Sequence, residues 1–449
     1  MFLKWKSIKF AIISLLLITI NLKAQDAESI KMSLTDALQL AKEKNFELKL
    51  AQAEVDKMSA DKNKSLSVFL PQITVSETFT RTNDPLNVFA FKLKQQIITT
   101  ADFNPAILNN PNEKYNFNTR IDINQPLINL DGFFGRAAAA DGLSAMKYKR
   151  TRTENYISFM VKMNYYKLVL NNINVEILKK ELENAESIRR ITKNYYNEGL
   201  ITKADYLMIE VYVSNVKSQL VEAKNNLEKT NDDLRLALGI ESEKNIIPTD
   251  TLKLQNFDNL SFETKSIIEN RSDMLAYKNK VSSLEKMNKM NWMKLVPRLN
   301  AFGSYEYNDT KFWGSKSNNW MVGINIQWNI FNGFQNIASI QKSKAELDIA
   351  ETDYSKAKLS GINEINSSLR DLNATKAKLE LAKSAVLQSE EAMRIINNRY
   401  NKGLEKTIDL VNAETNALNN KLNYWKTLYY YNVSVFKAEL MLEKKLITN

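Results

Sequence analysis

Two hydrophobic periods divide this chain. Ile362, Ile365, Leu369, Leu372, Leu379, Ala382, Val386, Met393, Ile396 and Tyr400 recur at steps of 3, 4 and 7. Those steps return to one face of an α-helix, and the stripe is narrow, suited to a coiled-coil seam rather than a broad core face. The pattern predicts a helix from about Asn332 to Tyr400, roughly 100 Å long at ~1.5 Å per residue. Asn129 to Tyr196 predicts a second of similar length. Shorter helices near 34–68 and 202–238 would match one long helix if stacked end to end.

Other segments alternate with period two. Tyr115, Phe117, Ile121 and Ile123 share one strand face, and Asn116, Asn118, Arg120, Asp122 and Asn124 the other. Trp320, Val322, Ile324, Ile326 and Trp328 alternate with Met321, Gly323, Asn325 and Gln327. Tyr305 and Tyr307 alternate with Ser304, Glu306 and Asn308. Gln72 to Thr80 is less clean, because Glu77 falls on the apolar face of Ile73, Val75 and Phe79. Four strands are predicted, near 72–80, 115–125, 298–308 and 319–329. One apolar and one polar face over about ten residues is the pattern of an outer-membrane barrel strand. Trp320 and Trp328 would stand roughly 27 Å apart along a strand, an aromatic at each membrane interface. For a single strand, a soluble sheet packed on the helices is the better reading. Four such strands in one chain shift the balance to lipid.

Four strands cannot close a barrel, since single-chain outer-membrane barrels start at about 8. An open edge in lipid leaves N–H and C=O groups unpaired at several kcal/mol each. The chain must therefore pool strands with copies of itself. Two copies give about 8 strands and a filled lumen; three give about 12 and room for a pore.

The chain is also duplicated. Leu70-Pro71-Gln72-Ile73 aligns with Val296-Pro297-Arg298-Leu299, and Ile121 to Gln125 with Ile324 to Trp328. Asn129 and Gly132-Phe133 align with Asn332-Gly333-Phe334. Tyr196-Asn197-Glu198-Gly199-Leu200 aligns with Tyr400-Asn401-Lys402-Gly403-Leu404. Asp205 then falls on Asp409 and Glu210 on Glu414. Ordered matches of this kind mark an internal repeat. The copies are predicted at 25–240 and 259–449, with 241–258 as the joint. Each reads helix, strand, loop, strand, long helix, tight turn, helix, with hairpin tips near 197–201 and 401–405. Residues 81–114 form a long loop and 308–319 a short one. Longer loops face outside in outer-membrane barrels, so the helices would point into the periplasm.

Composition narrows the chemistry. Cys and His are both absent, which removes disulfides, thiol nucleophiles, Cys/His zinc sites and His bases. Only 11 Gly and 7 Pro occur, which suits long uninterrupted elements. No phosphate-cradling Gly-rich loop, nucleophile elbow or metal-ligand cluster is present, so the reading is not an enzyme, with no cofactor and no metal. Residues 1–24 read as a cleaved secretory signal: Lys4, Lys6 and Lys9, the apolar run Phe10 to Ile20, then small Ala24. The remaining chain carries 58 basic and 51 acidic residues. That excess is spread along its length and, with export, argues against nucleic acid.

The ordered set Leu34-Thr35-Asp36-Ala37-Leu38, Asn45-Phe46-Glu47-Leu48, Leu70-Pro71, Trp328 to Phe334 and the two Tyr-x-x-Gly-Leu turns resembles the TolC-type outer-membrane channel-tunnel (efflux) family. The resemblance covers nearly the whole chain after residue 24. It departs at Phe46, where the family often has proline, at Gly333-Phe334 for Gly-Gly, and at Asn329-Ile330 for Pro-Leu. It implies an α+β membrane protein. Three chains, with four transmembrane β-strands each, would form a 12-stranded barrel continued by long antiparallel coiled-coil helices as a periplasmic α-barrel. The homotrimer would sit in outer-membrane lipid. It would serve as the exit duct of a tripartite efflux pump or type I secretion system, with an inner-membrane transporter and a periplasmic adaptor as partners.

The resemblance also places a gate. The turns built on Gly199 and Gly403 would lie at the periplasmic tip, with Asp205 and Asp409 as entrance acids and Tyr400, with Tyr196 in the other copy, as gate tyrosines. Each Asp in a trimer becomes a ring of three carboxylates that favours cations. A helix N-terminus explains the same acids through its dipole, and both roles are compatible. Where some relatives have a gating arginine this chain has Glu405, with Lys402 and Lys406 beside it. The competing reading is a periplasmic coiled-coil adaptor or structural protein, in which Trp320 to Trp328 would be protein core.

Overall fold

The computed structural model describes residues 29–241, 243–255 and 264–444. The signal segment read at 1–24 and part of the joint lie outside them. The chain opens with β1 (Ile30–Met32), α1 (Leu34–Lys44), α2 (Phe46–Lys64) and β2 (Gln72–Thr82). Two short helices, α3 (Pro85–Lys94) and α4 (Pro105–Asn109), precede β3 (Lys114–Ile128). A hairpin of α5 (Leu130–Asn197) and α6 (Lys203–Leu238) follows, then β4 (Ile246–Pro248). The second half runs α7 (Thr264–Asn270), α8 (Ser272–Met293), β5 (Arg298–Asp309), β6 (Ser317–Gln327), α9 (Gln335–Tyr400) and α10 (Thr407–Leu442).

The 68 residues of α5 and 66 of α9 each reach roughly 100 Å. No helix that long stands alone. Toward its tip α5 packs on α6, and toward the sheet on α2 and α8; α9 packs on α10 and α8. The seam of α9 buries Gly361, Ile365, Ser368, Leu372, Leu379, Ala382 and Ser389. Small residues alternate with large ones there, so neighbouring backbones approach closely. On the outer side Leu359, Leu381 and Leu387 stay exposed. One core cluster joins the two halves at mid-length through Tyr165, Leu234, Ile246, Ile268, Ile365 and Phe436. A second fills the tip half through Leu178, Ile188, Ile209, Val213 and Leu410.

Three features depart from the sequence reading. The helix expected at 34–68 breaks at Asn45, whose side chain caps α2 by accepting from Leu48 N at 3.1 Å and donates to the Ala237 carbonyl at 2.7 Å. Capping two helix ends at once is worth more there than helical continuity. The joint holds a strand: β4 pairs in parallel with β1, Ile30 opposite Ile246 and Met32 opposite Pro248. The long loop is largely helical, carrying α3 and α4.

The main sheet has the order β2-β3-β5-β6, with every neighbouring pair antiparallel. Its register sets Val75 opposite Ile121, Ile121 opposite Tyr305 and Tyr305 opposite Trp320. Residues directly opposite share a face. One face is therefore apolar across all four strands, and the other carries Ser76, Arg120, Asp122, Asn118, Glu306 and Asn325. The outer edges of β2 and β6 have no partner strand among the described residues. β6 stops at Gln327, opposite Arg298 at the start of β5, short of the expected 329.

Candidate functional site

Two hairpin tips lie together at the end of the helices far from the sheet. Each is one turn built twice. Leu200 N–H donates to the Tyr195 carbonyl at 2.9 Å, and Leu404 N–H to the Arg399 carbonyl at 3.0 Å. Gly199 and Gly403 sit at φ +73° and +68°. Nothing lies within 4 Å of where a Cβ would stand, so the requirement is backbone conformation, not space.

The two aspartates differ. Asp205 closes a capping box: its carboxylate accepts from Thr202 N–H at 3.1 Å and Thr202 Oγ at 2.6 Å, and its own N–H donates to Thr202 Oγ. Asp409 also lies in a first helical turn, but Lys406 at the N-cap offers no side-chain cap. The Asp409 carboxylate has no hydrogen-bond or ion-pair partner among the described residues. Asp205 is thus committed to holding α6, and Asp409 is available.

Tyr400 is 4% exposed, and its hydroxyl meets that of Thr192 at 3.2 Å. It pins the second hairpin to α5. Tyr196 stays partly exposed and stacks on Tyr206, centroids 5.7 Å apart. The Tyr206 hydroxyl donates to Glu210, which holds the phenol above its usual range. Between the tips is a cleft of about 880 Å³ lined by Asp205, Met208, Tyr400, Lys402, Lys406 and Ile408.

Arg399 escaped the sequence reading. Its guanidinium donates to Glu405 at 2.8 Å and lies 3.4 Å from the Leu404 carbonyl, clasping its own turn. The pair spans six residues, a spacing no helical pattern singles out. Lys402 and Lys406 make no ion pair among the described residues.

Higher in the hairpins, Glu414 is 2% exposed. One of its oxygens accepts from Asn184 at 3.2 Å and the other has no hydrogen-bond partner among the described residues. Burial first, then the charge of Glu181, pushes its carboxyl up to about 7. Glu181 itself accepts from Tyr212 at 2.5 Å.

At the other end the apolar sheet face is bare. Trp320, Val322, Ile324 and Ile326 are each about 70% exposed. Trp328 lies one residue past β6 and donates its indole N–H to the Leu295 carbonyl at 2.9 Å. Glu77, on this same face, accepts from the Thr119 hydroxyl and from Trp313 N–H. No helix among the described residues is long and apolar enough to cross a membrane. No cluster of metal-ligating side chains occurs among them.

A family model described as outer membrane efflux protein matches residues 37–240 and 264–434. Toxin and drug export protein A of Aggregatibacter actinomycetemcomitans is 20% identical over 61% of this chain; the match spans only 60% of that relative's length. Outer membrane protein TolC of Salmonella enteritidis is 22% identical over 93% of this chain and 83% of its own. Among solved structures, the Campylobacter jejuni CmeC outer membrane channel superposes with TM-score 0.78 at 18% identity, covering 92% of this chain and 86% of that one. The Vibrio cholerae outer membrane protein VceC gives 0.76 at 15% identity, covering 92% and 96%. At these identities the structural likeness establishes the fold.

Proposed function

The chain belongs to the outer membrane efflux protein family, and from that premise we propose that it is the outer-membrane exit duct of a tripartite efflux pump or type I secretion system. It works as a homotrimer with a 12-stranded barrel. It passively receives cargo from an inner-membrane transporter and a periplasmic adaptor. The observation that carries this reading is the sheet: four strands with a bare apolar face and two unpaired edges. Unpaired edges are not tolerated in lipid, and copies of the same sheet satisfy them. A periplasmic adaptor would cover Trp320 to Ile326 with its own core. The exposed Leu359, Leu381 and Leu387 on α9 fit a helical tunnel completed by neighbouring chains.

The hairpin tips form the gate. Three copies of Asp409 form a carboxylate ring that selects cations, and the Tyr400–Thr192 contact holds each second hairpin inward. Planar-bilayer conductance tests this. Asp409→Ala is expected to lower cation preference and relieve block by multivalent cations. Asp205→Ala removes the acidic half of a capping box, costs about 1 kcal/mol in α6, and changes selectivity less. Unchanged selectivity and block in Asp409→Ala overturns the ring.

A further inference from the structure

The segment between β2 and β3 does not simply cross the top of the sheet; it folds onto one face. The last turn of α3 carries Lys94, whose Nζ lies 2.9 Å from Glu306 Oε1. The next residue, Gln95, is 1% exposed. Its amide donates to the Tyr115 carbonyl at 2.9 Å and to Asn116 Oδ1 at 2.8 Å. Asn116 in turn donates to Asn308 at 2.7 Å. The Ser317 hydroxyl, at the first residue of β6, donates to the Lys94 carbonyl. These anchors sit on β3, β5 and β6, so α3 lies across three strands. Asn116, Glu306 and Asn308 all belong to the polar face.

The short β5–β6 loop leaves by the opposite face. Phe312 packs edge-on against Phe117 at 6.1 Å, and Trp313 N–H reaches Glu77, both on the apolar side. The two connections at this end are therefore sorted, one to each face. The inward one is well fixed. Gln96 turns the chain at φ +57°, Ile97 N–H returns to the Lys92 carbonyl at 2.9 Å, and Lys92 pairs with Asp102. An αL residue other than glycine persists only where its surroundings over-determine it.

We propose that α3 is a strap seated inside the outer mouth of the barrel, and that it sets the size limit for what passes that end. The proposal rests on the reading that the polar face lines the lumen. Both lysines of the last turn of α3 are neutralised, Lys92 by Asp102 and Lys94 by Glu306. The restriction is therefore steric more than electrostatic. In a trimer three straps enter one mouth, each held by buried polar contacts that are costly to strip from their partners.

The absence of native cysteine makes an introduced thiol unique. Asn325→Cys places it on the polar face at the helix end of β6, below the strap; Ile324→Cys places it on the opposite face. Intact cells are treated from outside with a small charged thiol reagent and with a maleimide on bulky polyethylene glycol. Trimer formation is checked for every variant on semi-native gels. The small reagent is expected to label Asn325→Cys and the bulky one to fail. Adding Lys94→Ala and Gln95→Ala should let the bulky reagent in. Equal labelling by both reagents with the strap intact overturns the strap, and so does continued exclusion in the released variant that still forms trimers. Labelling of Ile324→Cys in place of Asn325→Cys overturns the lumen reading itself.

Discussion

Replacing Ile324 with arginine is expected to abolish assembled trimer in the outer membrane, while the same change at Asn325 leaves it standing. The two residues are neighbours on β6 with the same strand neighbours and similar exposure in the single chain. They differ only in face. Ile324 lies midway between Trp320 and Trp328, at the centre of the apolar band. An arginine near the bilayer midplane costs about 2–4 kcal/mol in a barrel strand. A trimer bears that cost three times, against a net stability of about 5–15 kcal/mol for an ordinary domain. On the proposed reading Asn325 faces a water-filled lumen, where arginine costs little. Heat-modifiable trimer recovered from outer membranes measures the difference directly. Equal recovery of both variants would mean that Ile324 does not meet lipid. That result would return the sheet to a soluble role.

The same alternation shows what a sequence can carry. The strand from 317 to 327 was legible because apolar and polar residues alternate between its two faces. β2 was less legible because of Glu77, and the structure supplies the reason. Thr119 and Trp313 satisfy that carboxylate locally, which a one-dimensional pattern cannot register. The β1–β4 pair was invisible for a different cause. Three residues show no period, and the partners lie more than 200 positions apart. The break at Asn45 depends on a carbonyl at Ala237, again distant in sequence.

At the tips, duplication pointed to both glycine turns. It did not separate Asp205 from Asp409, although Thr202 opposite Lys406 contains the distinction: only threonine can complete a capping box. Tyr400 was the last residue of the α9 seam as well as a gate candidate. The seam predicts the burial that is observed, and the gate role then has to act through its contact with Thr192.

Glu414→Gln is expected to stabilise the helical hairpins at pH 8 and to do little at pH 4. The folded protein holds the Glu414 carboxyl near 7, from an ordinary value of 4.5, through burial and the nearby Glu181 charge. Below about pH 4.5 the group is protonated whether folded or unfolded, so it carries no penalty. Between 4.5 and 7 the unfolded chain releases the proton and the folded chain keeps it, so stability falls as pH rises. Above 7 the full penalty stands, about 3 kcal/mol at ~1.4 kcal/mol per pH unit. Glutamine removes the charge and keeps an oxygen for Asn184. The chain contains no histidine, so few other side chains titrate between pH 5 and 8 and the signal is clean. Around Glu414, the cleft of about 510 Å³ also presents Glu176, Lys180, Glu390 and Lys421. Thermal melts of the detergent-solubilised trimer, followed by helical circular dichroism, provide the test. The parent should melt lower at pH 8 than at pH 5, and the glutamine variant should melt at nearly one temperature. A parent insensitive to pH, or a variant less stable than the parent at pH 8, would show that Glu414 is ionised and well accommodated in the fold.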